Sequence, residues 1–234
     1  MDIINVEQVH KSFGNHHVLK GVTFSIQEPG IVALVGPNGS GKSTLMNIIM
    51  NLIDADSGDV KILGESPSNV NIFQNVSFLK DNSVLYHYLT GRDHLDYAAS
   101  LYGLNQERVH EVIDKIGIDT YVDKRVEQYS LGMKQHLLIA LAILNQPKFI
   151  LMDEPLNGLD PTSVIHTRQL ILELAAAGTS ILMSSHTLSE VDAVTNHILF
   201  LREGIVQEEY LSGEHVQRKK TAEERYMELY LDEL

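Results

Sequence analysis

The segment with the clearest chemical potential runs from Gly36 to Thr44 and reads Gly-Pro-Asn-Gly-Ser-Gly-Lys-Ser-Thr. It fits the pattern G-x-x-x-x-G-K-[ST], in which glycines let the backbone approach a polyphosphate closely and the N–H groups surround it. We expect the N–H groups of residues 38–43 to point at one spot, beside the positive end of a following helix. The residues expected to contact a nucleotide are Gly36, Asn38, Gly39, Ser40, Gly41, Lys42, Ser43 and Thr44.

Two side chains of this loop have specific expected roles. Lys42 should reach the β- and γ-phosphates of the nucleotide, and Ser43 should ligate Mg²⁺. The alternative is a chance glycine-rich turn. Against it, an apolar run at 30–35 precedes the segment and apolar residues at helical spacing follow it. A strand, a turn and a helix start are the context that the pattern requires.

Two adjacent carboxylates, Asp153 and Glu154, form a second candidate group. They follow the apolar run 149–152, which predicts a buried strand, and they precede Pro155. Neighbouring side chains at a strand end can perform different tasks. We therefore expect Asp153 to hold Mg²⁺ and Glu154 to orient and deprotonate the attacking water. The alternative is a solvated Asp-Glu turn, which Pro155 would also suit.

Apolar patterning predicts the elements that must position these groups. Residues 1–28 alternate in the manner of edge strands, so we expect antiparallel strands there. Further strands are predicted at 30–35, 58–63, 76–79, 149–152, 180–183 and 198–201. Helical spacing predicts helices within 89–145 and at 161–176, 187–194 and 221–234. Strands and helices that alternate on both sides of a helical block predict an α/β fold. Its core would be a parallel sheet, with an antiparallel β subdomain and an inserted helical subdomain.

Composition limits the functional classes. The chain has 234 residues, 44% of them hydrophobic, which is enough for one globular unit with a sizeable core. It has no cysteine, so disulfides and thiolate metal sites are excluded. A formal net charge of −13 argues against nucleic-acid binding, which needs clustered Lys and Arg. The basic triplet 218–220 is interpreted as a solvated helix start.

No stretch approaches 18 apolar residues without charge, and residues 1–6 lack a secretory leader pattern. We therefore expect a chain that does not cross a membrane by itself.

Three further motifs carry a resemblance to a known family. The run 129–135, Tyr-Ser-Leu-Gly-Met-Lys-Gln, resembles the signature sequence of ATP-binding cassette (ABC) ATPases, in a variant found in ABC transporters. Residues 156–160 are similar to the D-loop of that family, and Ser184-Ser185-His186 is similar to its switch-histidine loop. Five motifs in the family's order span essentially the whole chain, which is far more specific than any one motif. The resemblance implies a single ABC ATPase domain over 1–234 with a P-loop NTPase core. The core and β lobe would comprise 1–80 and 148–234, and the helical lobe 81–147.

The resemblance also implies roles for residues outside the phosphate loop. It implies ATP and Mg²⁺ as ligands and a head-to-tail dimer, in which Ser130 and Gly132 of one subunit face the γ-phosphate held by Lys42 of the other. A Ser-x-Gly at a helix start suits an anion, because it offers a hydroxyl, an open N–H and the helix N-terminus. His186 would hydrogen-bond the γ-phosphate and position water, so that Glu154, His186 and Lys42 form the expected catalytic set. Asp160 would couple the two sites across the dimer.

Five positions depart from the family pattern, and two of them, Leu131 and Met133, replace a glycine and a glutamine within the signature. Phe13 stands where a tyrosine usually stacks on adenine; its ring can still stack, although a core position in the β lobe is the alternative. Asp81 stands where a glutamine or glutamate is usual, and its shorter carboxylate reaches Mg²⁺ only through loop movement or water, so a metal-site role is a hypothesis. His136 stands where an arginine is frequent and is expected at the surface or at an interface.

The leading functional hypothesis is an ATPase subunit of an ABC transporter. It would act as a homodimer or heterodimer with a separately encoded transmembrane subunit, which would dock at residues 80–104, on the cytoplasmic face of the cell membrane. Export is favoured, because the signature variant and the lack of a recognisable C-terminal regulatory domain resemble small exporters of drugs, peptides or lipids. The alternatives are a soluble ABC-type ATPase acting on a ribosome or DNA, and a small-molecule kinase or GTPase. The former usually carries paired cassettes or basic arms, and the latter would not explain the signature or His186.

Overall fold

The computed structural model describes residues 2–211 and 220–230 of the chain. The strands are β1 (Ile4–Phe13), β2 (His16–Ile26), β3 (Ile31–Val35), β4 (Ser57–Ile62), β5 (Val76–Leu79), β6 (Phe149–Met152), β7 (Ser180–Ser185), β8 (His197–Arg202) and β9 (Ile205–Tyr210). The helices are α1 (Lys42–Ile49), α2 (Gly91–Tyr102), α3 (Gln106–Ile116), α4 (Leu131–Ile143), α5 (Pro161–Ala176), α6 (Leu188–Asp192) and α7 (Ala222–Tyr230). Short 3-10 turns cover Val70–Gln74, Asn82–Val84 and Val126–Gln128.

The larger sheet has the strand order β5-β6-β7-β3-β8-β9. Its first five strands are parallel, and β9 pairs antiparallel with β8. Strand β3 is buried along its whole length, which explains its uninterrupted apolar sequence. Because β7 lies between β6 and β3, the segments that follow these three strands emerge side by side at one edge of the sheet. This topology confirms the predicted α/β class with a parallel core.

The smaller sheet is antiparallel, with the order β2-β1-β4. Its existence confirms the predicted β subdomain, but the interpretation of β1 as an edge strand is wrong. Strand β1 is central, and its residues Ile4, Val6 and Val9 are fully buried. Alternation of apolar and polar residues indicates that one face of a strand is buried, but it does not indicate how many neighbouring strands the strand has. The buried face packs on α1 and on the larger sheet in one shared core.

Helices α2, α3 and α4 lie between β5 and β6 and form the helical insertion. Thr90 begins α2 with a capping box: its hydroxyl accepts the N–H of Asp93, and the Asp93 carboxylate accepts the N–H of Thr90. Helix α4 is the most apolar of the three and is buried on nearly all sides after its first turns. The proposed limits of this lobe, 81–147, remain a prediction.

Some predicted elements differ from the observed ones. Strand β9 was not predicted, because its sequence Ile-Val-Gln-Glu-Glu-Tyr is polar and it joins the sheet through backbone bonds to β8. Helix α6 covers 188–192, shorter than the predicted 187–194. The predicted terminal helix is observed at 222–230, while residues 218, 219 and 231–234 lie outside the described part of the chain. Among the described residues, no helix has the length and apolar character needed to span a membrane.

Candidate functional site

The phosphate loop connects β3 to α1 and depends on glycine at specific points. A Cβ atom at Gly36 would lie 2.6 Å from the carbonyl oxygen of Leu201 and 2.7 Å from Oγ of Ser40. Gly41 has φ +105° and immediately precedes α1, a backbone conformation that other residues rarely adopt. The loop can therefore take this compact form only with glycine at both positions.

Lys42, the first residue of α1, folds back across the loop. Its Nζ donates to the carbonyl oxygens of Gly36 at 2.7 Å and Pro37 at 3.3 Å. Burial lowers the pKa of Lys42, and the nearby carboxylates of Glu154 and Asp153 partly oppose this shift. An ammonium group has three protons, so one remains for a phosphate even when both carbonyls are bonded.

The expectation that all N–H groups of residues 38–43 face one spot is wrong at Ser40. The N–H of Ser40 donates to the carbonyl oxygen of Pro37 at 3.1 Å, closing a turn inside the loop. The buried Oγ of Ser40, in contrast, lacks a hydrogen-bond partner among the described residues. The turn residues Pro37 and Asn38 lie outside the regular elements, so sequence periodicity could not predict this internal bond.

The two carboxylates follow β6, and β7 supplies their partners. Oδ1 of Asp153 accepts a hydrogen bond from Oγ of Ser184 at 2.6 Å. Nδ1 of His186 lies 2.8 Å from Oε2 of Glu154. An ionised carboxylate can only accept, so this contact assigns the proton to Nδ1 of His186. Glu154 has φ +50°, in the left-handed region, which turns the residue out of the direction of the strand. The pair is therefore tied to β7 and is not a free solvated turn.

These groups border one cavity of about 660 Å³. Its predicted lining residues are Phe13, Asn38, Gly39, Gly41, Lys42, Ser43, Thr44, Asp81, Asp153, Glu154 and His186. Sequence reasoning missed three others that also line it: His16, Val18 and Asn157. His16 reaches the cavity because it pairs with Phe13 across the tight turn between β1 and β2. A cavity of about 600 Å³ near His197 lies where β3 and β8 begin and contains none of the motif residues.

Two of the departures from the family pattern, Phe13 and Asp81, lie on the wall of this cavity. Phe13 is 53% exposed, so it is not a core residue of the β lobe, and Nζ of Lys11 lies 5.5 Å from its ring centroid. Oδ1 of Asp81 accepts the N–H of Ser83 at 2.8 Å and caps a 3-10 turn. The side chain of Ser83 and, to a smaller extent, its N–H lower the pKa of Asp81, so the carboxylate is charged where it borders the cavity.

Of the predicted site residues, Gly36 and Ser40 belong to the phosphate loop but do not border this cavity. Ser130, Gly132 and Asp160 do not border it either, and they form a separate group. Ser130 begins α4, and its Oγ accepts the N–H of Met133 at 3.2 Å. Asp160 begins α5, where its Oδ2 accepts the hydroxyl of Ser163 at 2.6 Å. A Cβ atom at Gly132 would lie 3.8 Å from Oδ2 of Asp160, so the starts of the two helices are in contact.

His136, on α4, is partly buried and lies 3.2 Å through Nδ1 from the hydroxyl of Tyr121. Burial lowers the pKa of His136, the nearby His166 lowers it further, and Asp160 partly opposes the shift. The expectation of a surface residue is thus correct only in part.

Comparison with known proteins identifies the family. The model of the ABC transporter family matches residues 19–157. The chain belongs to the ABC transporter family. This ABC protein is 34% identical to the lantibiotic transport ATP-binding protein SrtF of Streptococcus pyogenes, over 92% of the chain and 94% of SrtF. It is 36% identical to the ABC transporter ATP-binding protein YdbJ of Bacillus subtilis, which is described as uncharacterized, over 88% of the chain and 68% of YdbJ.

Solved structures agree with this assignment. An ATP-binding subunit of an ABC transporter superposes with a TM-score of 0.87 at 28% identity, covering 97% of this chain and 99% of the other. The ATP-binding cassette MJ0796, solved as a dimer in a post-hydrolysis state with ADP and Pi, superposes with a TM-score of 0.81 at 25% identity. That match covers 90% of this chain and 99% of the other. This ABC protein is therefore an ATP-binding and ATP-hydrolysing transporter subunit, of a kind that dimerises and acts with separate membrane components. The kinase, GTPase and ribosome or DNA alternatives receive no support.

Proposed function

We propose that this subunit hydrolyses ATP in the 660 Å³ cavity and thereby powers export through a separate membrane protein. Glu154 deprotonates the attacking water. His186, with both ring nitrogens protonated, donates to the Glu154 carboxylate through Nδ1 and to the γ-phosphate through Nε2. Lys42 neutralises the β- and γ-phosphates, and the loop residues 36–44 hold the rest of the polyphosphate. The ring of Phe13 stacks on the adenine.

The residues around the cavity fit a Mg²⁺ ion. Ser43, Asp153 and Asp81 all line the same cavity, and each offers a hydroxyl or carboxylate oxygen. Mg²⁺ is usually bound through one or two protein oxygens together with phosphates and water. Ser43 and Asp153 would be its protein ligands, with Asp81 acting through water. When bound, the ion would neutralise charge on the phosphates during transfer.

We further propose that the catalytic site is completed by a second copy of the chain. Ser130, Gly132 and Asp160 lie together at the starts of α4 and α5, away from the nucleotide cavity of their own chain. Ser130 and Gly132 would bind the γ-phosphate held by the Lys42 of the opposite subunit, and Asp160 would connect the two sites. The dimer of MJ0796 supports this arrangement.

The membrane partner is proposed to dock on the helical lobe, at the inner face of the cell membrane. Tyr86, Tyr88, Tyr97 and Leu101 are each more than half exposed within or just before α2. The segment before α2 is held in place by His94, whose Nε2 accepts the N–H of Tyr86 at 2.9 Å. Such a surface suits an apolar helix of a partner. The match along 94% of SrtF, a lantibiotic transport protein, favours export of a peptide-like cargo.

The observation that carries the proposal is that the phosphate loop, both carboxylates and His186 border one cavity. Its test is Glu154→Gln, which should leave ATP binding intact and slow hydrolysis about 100-fold or more. Glu203→Gln is a matched control, because Glu203 also has a positive φ, of +51°, but lies in the turn between β8 and β9. Near-normal turnover of Glu154→Gln would refute the general-base role.

A further inference from the structure

Ser184 is a fully buried hydroxyl that the roles given so far leave unexplained. It is the fifth residue of β7, and its exposed fraction is 0%. The register of β6 and β7 pairs Met152 with Met183, so the next residues, Asp153 and Ser184, lie beside each other where β6 ends. Ser184 therefore occupies the position on β7 that faces the proposed metal-binding carboxylate.

The hydroxyl of Ser184 connects both carboxylate residues at once. It donates to Oδ1 of Asp153 at 2.6 Å and accepts the backbone N–H of Glu154 at 2.9 Å. A serine hydroxyl has one proton, so the direction of both bonds is fixed: the proton goes to Asp153, and a lone pair receives the N–H. The short distance to Asp153 is typical of a charge-assisted hydrogen bond.

Both bonds constrain groups that need a defined orientation. With Oδ1 of Asp153 engaged by Ser184, Oδ2 is left for a metal ion. The backbone of Glu154 has φ +50°, a conformation that a non-glycine residue keeps only when its surroundings impose it. The bond from its N–H to Ser184 fixes the backbone, and the bond from its side chain to His186 fixes the carboxylate.

We infer that Ser184 is a positioning residue for ATP hydrolysis, which orients Asp153 toward Mg²⁺ and holds Glu154 in the conformation that directs its carboxylate at the attacking water. This inference depends on the proposed roles of Asp153 and Glu154. Ser184 does not border the nucleotide cavity, and it acts through the two carboxylate residues.

The test is Ser184→Ala, measured together with Ser184→Cys. Loss of a hydrogen bond to a charged group predicts a fall in kcat of roughly 10- to 100-fold for alanine. The Mg²⁺ concentration that gives half-maximal activity should rise severalfold. The affinity for nucleotide in EDTA should stay unchanged, because the phosphate loop is intact. Cysteine donates weakly through its S–H group, so it should give losses in the same direction but smaller.

Ser180→Ala is the matched control. Ser180 begins the same strand, is 2% exposed and lies at the end far from the carboxylates, so its loss should leave kcat and the Mg²⁺ dependence unchanged. If Ser184→Ala does not fold, Ser184→Cys with the same metal titration decides the question.

The inference is overturned if the Ser184 variants fold and show wild-type kcat and Mg²⁺ dependence, or if Ser180→Ala shows the same losses. The Glu154→Gln variant distinguishes failure of the positioning role of Ser184 from failure of the proposed ATPase function. Slow turnover of Glu154→Gln beside normal Ser184 variants would refute only the positioning role. Normal turnover of Glu154→Gln would refute the function on which it rests.

Discussion

Replacing His186 with alanine tests how Glu154 is held for catalysis. Among the described residues, the one hydrogen bond to the Glu154 carboxylate comes from Nδ1 of His186, at 2.8 Å. His186→Ala removes that donor and leaves the carboxylate free to rotate toward solvent. Asp153, Ser184 and the phosphate loop keep their own contacts, so the effect should be confined to the orientation of the base and to the contact with the γ-phosphate.

The size of the effect follows from the geometry and exposure of the pair. A hydrogen bond to a charged group contributes about 1.5–3 kcal/mol when it is well shielded from water. The side chains of His186 and Glu154 are 42% and 23% exposed, so solvent screening favours the lower end of that range. About 1.5 kcal/mol corresponds to roughly a tenfold fall in kcat. Loss of the proposed γ-phosphate contact would add to this, so tenfold is the minimum expected.

The assay is steady-state ATP hydrolysis, with nucleotide affinity measured separately by fluorescence titration. We expect kcat of His186→Ala to fall at least tenfold and affinity to change little. Both residues act on the same water. The fold decrease in kcat of the His186→Ala, Glu154→Gln double variant should therefore be far smaller than the product of the two single decreases. A kcat within twofold of wild type, or fully multiplicative losses in the double variant, would refute this reasoning.

Three further changes give expected outcomes. Lys42→Ala should weaken ATP binding roughly 10- to 100-fold in an equilibrium titration, because a charge-assisted contact is lost. Lys61→Ala, on strand β4, is the control and should leave ATP binding unchanged. The pKa of His136 is lowered by burial and by the neighbouring His166, so its stabilising contribution is present above about pH 6.5 and is lost as pH falls through the lowered value. Urea unfolding at pH 7 and pH 5 should show a smaller pH dependence in His136→Gln, and an unchanged dependence would contradict the shift. Gly91→Ala would place a Cβ against the hydroxyl of Tyr129, which donates to a carbonyl at 2.9 Å, and should lower the free energy of unfolding by about 1–3 kcal/mol.

Much of the fold is readable from the sequence because the core strands are fully buried. Strands such as β3 and β6 have uninterrupted apolar sequences, and helices such as α5 have apolar residues at helical spacing. Strand β9 could not be predicted from apolar patterning, because two of its side chains are glutamates and its position depends on backbone pairing with β8. The central position of β1 could not be predicted, because strand order is a property of the whole sheet.

The candidate site was predictable residue by residue but not in its connections. Motif spacing identifies Lys42, Asp153, Glu154 and His186, since each follows or begins an element of the parallel core. It does not show that Ser184 bonds to both carboxylate residues, because that contact depends on the register of two strands distant in sequence. The bond inside the phosphate loop and the cavity position of His16 are likewise products of tertiary geometry.

Ser130 is proposed to complete the catalytic site of a partner chain. Ser130→Asp tests it without damage to the fold, because aspartate is as good an N-cap for α4 as serine. The new negative charge would face the γ-phosphate across the dimer, whereas the nucleotide cavity of the same chain does not include this residue. Ser130→Asn is the matched control, since it also caps the helix but carries no charge.

The deciding measurement is the mass of the protein in solution with ATP, by light scattering, in a Glu154→Gln background that slows hydrolysis. We predict that the Glu154→Gln protein dimerises with ATP and that adding Ser130→Asp abolishes the dimer. Adding Ser130→Asn should retain more of the dimer, and the ATP affinity of the monomer should be the same in all three proteins. If the ATP-dependent dimer persists in the Ser130→Asp protein, or if the ATP affinity of its monomer falls, Ser130 does not complete the site of the partner chain.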